Sequence, residues 1–162
     1  MLSRPTTEQI LLDCRDELLR TVAPAVPEGP VHVAIQMMEN VLRNCAARAA
    51  HEIAWMHEEA DEMVSYAARV AATSHASPDT STHTSTAVTD ALAAYETRRD
   101  GSLHLDDVTA TYSLAGHCLS TAIDAAMAGG DPELQADGRA ILERRLAHEN
   151  EIMGEWAFVG RA

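Results

Sequence analysis

The chain has 162 residues, 46 % of them hydrophobic, enough for a genuine core. Its 25 acidic residues against 12 basic ones leave a formal charge of −13, which repels nucleic acid and anionic membrane surfaces. The basic residues are scattered apart from the short pairs Arg98–Arg99 and Arg144–Arg145, no run reaches the roughly 18 apolar residues of a membrane span, and the N-terminus lacks the apolar segment of a signal peptide, so a cytoplasmic protein without nucleic-acid or membrane partners is expected.

A first helix is predicted from Thr6. Thr6-Thr7-Glu8-Gln9 reads as a capping box, with Thr6 accepting an early amide and Gln9 reaching back. Ile10, Leu11, Cys14, Leu18 and Val22 form its main apolar face, while Leu12 and Leu19, seven apart, form a second one. Pro24, Pro27, Gly29 and Pro30 end it.

The next stretch, about 31–73, organises the chain. Ala34, Met38, Val41, Cys45, Ala49, Ile53, Met56, Ala60, Met63, Ala67 and Val70 recur every three or four positions, with no Pro or Gly between them. Unbroken, such a helix spans about 60 Å, more than any of its neighbours, so two helices placed end to end or a second subunit must cover it.

A polar, Ser/Thr-rich segment at 74–85 reads as a flexible loop carrying His75 and His83. A shorter helix follows over 86–99, ended by Asp100-Gly101, and Asp106 is the expected cap of a fourth helix that stops at Gly129-Gly130. Asp131-Pro132-Glu133 combines an acceptor cap, Pro at the first helical position and an acid at the positive dipole end, and the last helix is expected to reach about Trp156. Strand signals and internal repeats are absent. Cys14, Cys45 and Cys118 are odd in number and far apart, and read as three reduced thiols buried on helical faces.

On a 100° helical wheel Glu52 falls inside the apolar stripe of the long helix, with Arg48 and Glu59 at its edge. Arg145 and Glu149 fall within the apolar arc of the last helix. Arg48–Glu52 and Arg145–Glu149 are each four apart and suited to pairing. Such residues turned inward form either partly buried salt bridges whose Arg stems cover apolar surface, or a polar cavity in which Arg48 and Arg145 hold an anionic ligand and Glu52, Glu59 and Glu149 act as bases or ligands. The dipeptides His51-Glu52, His57-Glu58 and His148-Glu149 are poor chelates, because adjacent helical residues diverge. His57 and Asp61 are placed on the outward face, and His148 is the best ligand candidate. Glu-x-x-His, HExxH, GxSxG and a Gly-rich phosphate loop are all missing, so no catalytic residue, metal or cofactor is assigned.

Arg4-Pro5-Thr6, the Glu17-Leu18 region, Val22-x-Pro24 and Asn40-x-Leu42 followed by an acidic stretch resemble a family of small all-helical bacterial proteins of unknown function. The resemblance covers about the first third of the chain, and the Ser/Thr-rich middle departs from it. Members are often encoded beside phosphotransferase-like kinases and acyl-CoA dehydrogenases. The resemblance implies an accessory protein near such an enzyme and carries no catalytic residues with it.

The expected architecture is therefore all-α: one domain over residues 1–162, an antiparallel bundle of about five helices built on the long one. A homodimer is expected, using Leu12, Leu19 and part of the long helix. Two functions remain open. One is a non-catalytic partner of a metabolic enzyme of the kinase-like or acyl-CoA-dehydrogenase-like kind. The other is an anionic-ligand binder or enzyme with its site at Arg48, Glu52, Glu59, Arg145 and Glu149.

Overall fold

A computed structural model describes residues 4–76, 82–99 and 101–154. Among them are five α-helices and no strand: α1 (Thr7–Glu17), α2 (Pro30–Ala76), α3 (Thr82–Arg98), α4 (Leu105–Gly129) and α5 (Pro132–Met153). The all-α architecture expected from the periodicity is the one observed. Among the described residues no helix is long and apolar enough to cross a membrane.

Local chemistry sets the helix ends. Thr6 caps α1 with both halves of the box formed: its hydroxyl accepts from the Gln9 amide at 3.2 Å, and its own amide donates to the Gln9 side chain at 2.9 Å. After Glu17 the chain passes through a π turn (Leu18–Val22) and a 3₁₀ turn (Ala23–Ala25) before Pro30 opens α2. Gly130 closes α4 in the left-handed region, at φ 69°, where a Cβ is disfavoured. Asp131 caps α5, its carboxylate accepting from the amides of Glu133 (2.9 Å) and Leu134 (3.2 Å).

Other ends differ from the sequence expectation. Helix α4 starts two residues earlier than a cap at Asp106 requires: His104 is the cap residue, and Asp106 and Asp107 lie in the first turn, where they favour the positive dipole end. The expected loop at 74–85 is trimmed on both sides, because α2 continues to Ala76 and α3 begins at Thr82, and its centre at 77–81 lies outside the described residues. Helix α5 ends at Met153, and both Trp156 and Asp100 lie outside the described residues.

The chain divides into two compact units, one of Met1–Glu52 with Ala147–Ala162, the other Ile53–Leu146. In the first, Arg15 of α1 meets Glu39 of α2 at 2.6 Å, and Arg43 donates to the Met153 carbonyl at 3.2 Å. Helix α1 nevertheless buries no residue, and in the part of α2 belonging to this unit only Ile35 and Ala46 are buried. Cys14 and Cys45 are exposed here, against the expectation of three buried thiols; only Cys118, in the second unit, is buried. The periodicity locates the helix but not its cover, since an amphipathic stripe does not reveal whether its own chain or another surface masks it.

The second unit is a four-helix bundle. Down α2, residues 59, 62, 66 and 69 meet Arg145, Arg144, Leu134 and Asp137 of α5, so those two segments run antiparallel. Arg98 near the end of α3 lies 3.9 Å from Asp107 at the start of α4, making that pair antiparallel too. Among the described residues, eight of the sixteen in its buried core are Ala, contributed by α2, α3 and α4. Such small side chains let helices approach closely, and larger members such as Met63, Tyr66, Val70 and Leu119 fill the remaining volume.

Within this bundle one glycine, Gly138 of α5, sits at a close approach. A Cβ there would sit 2.8 Å from the Tyr66 Oη and 3.2 Å from the Ile123 Cγ1. Tyr66 cannot yield cheaply: its ring is fully buried and its hydroxyl donates to the Leu134 carbonyl at 3.0 Å. Gly138→Ala gains about 1 kcal/mol of helix propensity but meets an overpacking penalty of about 1–3 kcal/mol. The expected outcome is a net loss of stability in urea denaturation, opposite in sign to the usual effect of Gly→Ala inside a helix.

Candidate functional site

The five residues singled out by sequence separate into two places. Arg48 and Glu52 lie in the first unit, paired along α2 by two hydrogen bonds from the guanidinium, one of them 2.8 Å from Nε. This pair does not line an interior: the Arg48 side chain is 55 % exposed and that of Glu52 23 %. The hydrogen bond to Glu52, reinforced by its charge, holds Arg48 still more firmly protonated than usual. Glu149, also in the first unit, is exposed.

Glu59 and Arg145 lie in the second unit, and Arg145 is paired with Glu59 in place of the expected Glu149. Its Nε lies 3.3 Å from Glu59 Oε2 and donates to the Tyr112 hydroxyl at 3.1 Å. That hydroxyl in turn donates to the same Glu59 oxygen. The guanidinium carbon also stands 5.5 Å from the centre of the Tyr112 ring, within cation–π range. Three helices thus contribute one member each: Glu59 from α2, Tyr112 from α4, Arg145 from α5.

Burial explains the arrangement. Among the described residues Glu59 is the charged residue of the bundle interior, its side chain only 8 % exposed, and a carboxylate there needs a counter-charge and donors. Burial first, and then the hydrogen bond to Glu59, push the Tyr112 phenol above its ordinary range, with Arg145 opposing the rise. The phenol therefore stays a donor at neutral pH, and the three groups satisfy one another. The arrangement locks helices together. The sequence pattern singles out Glu59 and Arg145 but not Tyr112. The available signal was its hydroxyl, which needs a partner when such a ring is buried.

A second polar cluster lies on the surface of the same bundle. A shallow depression of about 240 Å³ is lined in part by Glu62, Arg69, Asp137 and Arg144. Its cations are already matched, Arg69 to Asp137 at 2.7 Å and Arg144 to Glu62. His57, expected on the outer face of α2, is half-buried, with its Nε2 sequestered and lacking a hydrogen-bond partner. Among the described residues no three His, Cys, Asp or Glu side chains converge in a group that could hold a metal ion. Comparison with models of known protein families, with curated proteins and with solved structures finds no match to this chain.

Two predictions follow from the chemistry of the bundle. Arg145→Met strands the Glu59 carboxylate and is expected to lower unfolding free energy by about 3 kcal/mol, whereas Tyr112→Phe, which removes a hydrogen bond to a charged group, lowers it by about 2 kcal/mol. Urea denaturation followed by circular dichroism measures both. The second concerns pH. Burial raises the phenols of all three tyrosines, Tyr66, Tyr95 and Tyr112. A folded-state pKa above the unfolded value means the folded form retains its proton longer. This contribution to stability is complete below about pH 10, the unfolded phenol value, and is lost as pH rises through the folded values. Phenolate absorbance of the native protein should therefore appear at higher pH than in urea, with stability falling over the same window.

Proposed function

We propose that the protein is a non-catalytic helical interaction module that works by presenting an apolar surface to other polypeptides. The observation that supports this reading best is the exposure in the first unit. Ile10, Leu12, Leu19 and Val22 around α1, and Val31, Met37, Met38 and Val41 on α2, all stand open. Soluble chains rarely leave so many large apolar side chains close together in sequence unless another surface covers them. The interior ion pair of the second unit supports the same reading from the other side, because Glu59, Tyr112 and Arg145 satisfy one another in place of a ligand. The partner proposed from the family resemblance is a cytoplasmic metabolic enzyme of the kinase-like or acyl-CoA-dehydrogenase-like kind.

The test is affinity capture from native cells with the full chain and with a variant carrying Ile10→Ser, Leu12→Ser and Leu19→Ser. The reading expects a metabolic enzyme that is recovered with the parent chain and lost, by about tenfold or more, with the variant, since removing buried apolar anchors typically costs over 1.4 kcal/mol. Recovery that ignores these changes, or saturable binding of a small anion abolished by Arg145→Met, would overturn it.

A further inference from the structure

We infer that a second copy of this chain covers the exposed edge of α2, the two helices pairing along Val31, Ala34, Met38, Val41 and Cys45. This deepens the interaction reading above by naming one partner of the same unit, and so rests on it. These five residues follow the spacing i, i+3, i+7, i+10, i+14, the alternation of threes and fours by which one helix seats against another of its kind. The spacing alone would describe a buried face, but all five are exposed, and Val31, Met38 and Val41 are each more than half exposed.

Two positions of α2 off this edge already have partners within the unit. Glu39 is held by Arg15 of α1, and Arg43 reaches the backbone near the end of α5. The open edge, with Met37 beside it, presents on the order of 500–600 Å² of apolar side chain. Complete cover of this edge in two copies would remove at most about 1,000–1,200 Å² from water, the lower end of what specific pairing needs.

Charge supplies the argument for self-pairing. Two chains of −13 repel unless the surface of contact is spared. It is spared here: between Val31 and His51 the only acid is Glu39, which lies off the edge and is bound by Arg15. The positions flanking the seam are Ile35, Met37, Leu42, Asn44, Ala49 and His51, none of them acidic. The next two seam positions are Arg48 and Glu52, one of each sign and bonded to one another. A two-fold interface sets the same patch against itself, and a patch carrying both signs is self-complementary. Their place in the seam also explains why an Arg–Glu pair interrupts an apolar stripe: polar residues there set the register at which two helices stop sliding.

The experiment uses the full chain. Light scattering across micromolar concentrations should return twice the chain mass. Met38→Glu with Val41→Glu should raise the dissociation constant by about 100-fold or more, since each change places an unpaired charge in the seam. Both positions are exposed, so helical circular dichroism should survive. As an independent readout on the unaltered chain, alkylation of Cys45 should slow several-fold as protein concentration rises, while Cys14, exposed on α1, reacts at a constant rate. A parent chain that stays monomeric, a variant that still dimerises, or a Cys45 rate indifferent to concentration would overturn the inference. A monomer that still captures its enzyme through Ile10, Leu12 and Leu19 would sink this inference alone. A dimer that captures nothing through them would sink the enzyme-partner reading alone.

Discussion

The second unit is built around a carboxylate that has no business in an alanine core unless it is answered. Glu59 is answered by a guanidinium and a phenol drawn from two other helices, and this triangle fixes where α2, α4 and α5 stand relative to one another along their lengths. Alanines alone could not do so. Eight small, nearly interchangeable side chains allow close approach but leave the helices free to slide, because a methyl group fits almost equally well one turn along. Directional bonds restore the specificity that the apolar packing lacks. Whether the triangle also adds net stability over an apolar substitute is a separate matter, since buried ion pairs often come close to breaking even.

Tyr66 and Gly138 perform a similar task with other means. A buried phenol bonded to the Leu134 carbonyl near the start of α5 needs room, and only a residue without a Cβ provides it. Sterics and hydrogen bonding thus agree on one placement of α5 within this bundle. The salt bridges Arg69–Asp137 and Arg144–Glu62 follow the same register at the surface, where solvent makes each worth little by itself.

Much of this was legible in the residues. The capping box at Thr6, the Asp131-Pro132 start and the glycine stop after α4 each rest on chemistry confined to four or five neighbouring residues, and each stands as read. The cap of α4 was misplaced, because Asp106 is as comfortable one turn into a helix as before it. What a wheel could not supply was the partner of each inward charge. Arg145 has Glu149 four residues away, yet pairs with Glu59, whose distance along the chain conceals it. Nor could periodicity separate the masked part of α2 from the unmasked one: Val41 and Val70 obey the same repeat, and only the latter is buried.

Helix α1 has only eleven residues and no buried side chain. Helices of that length barely persist in water by themselves, so its capping box and the bridge from Arg15 to Glu39 help to keep it wound. Such an element opens and recloses far more readily than the alanine-rich bundle, and its amides should exchange with solvent early. Any surface that settles on Leu12 and Leu19 would meet a segment still partly free to choose its shape, and would spend some of its affinity on quieting it.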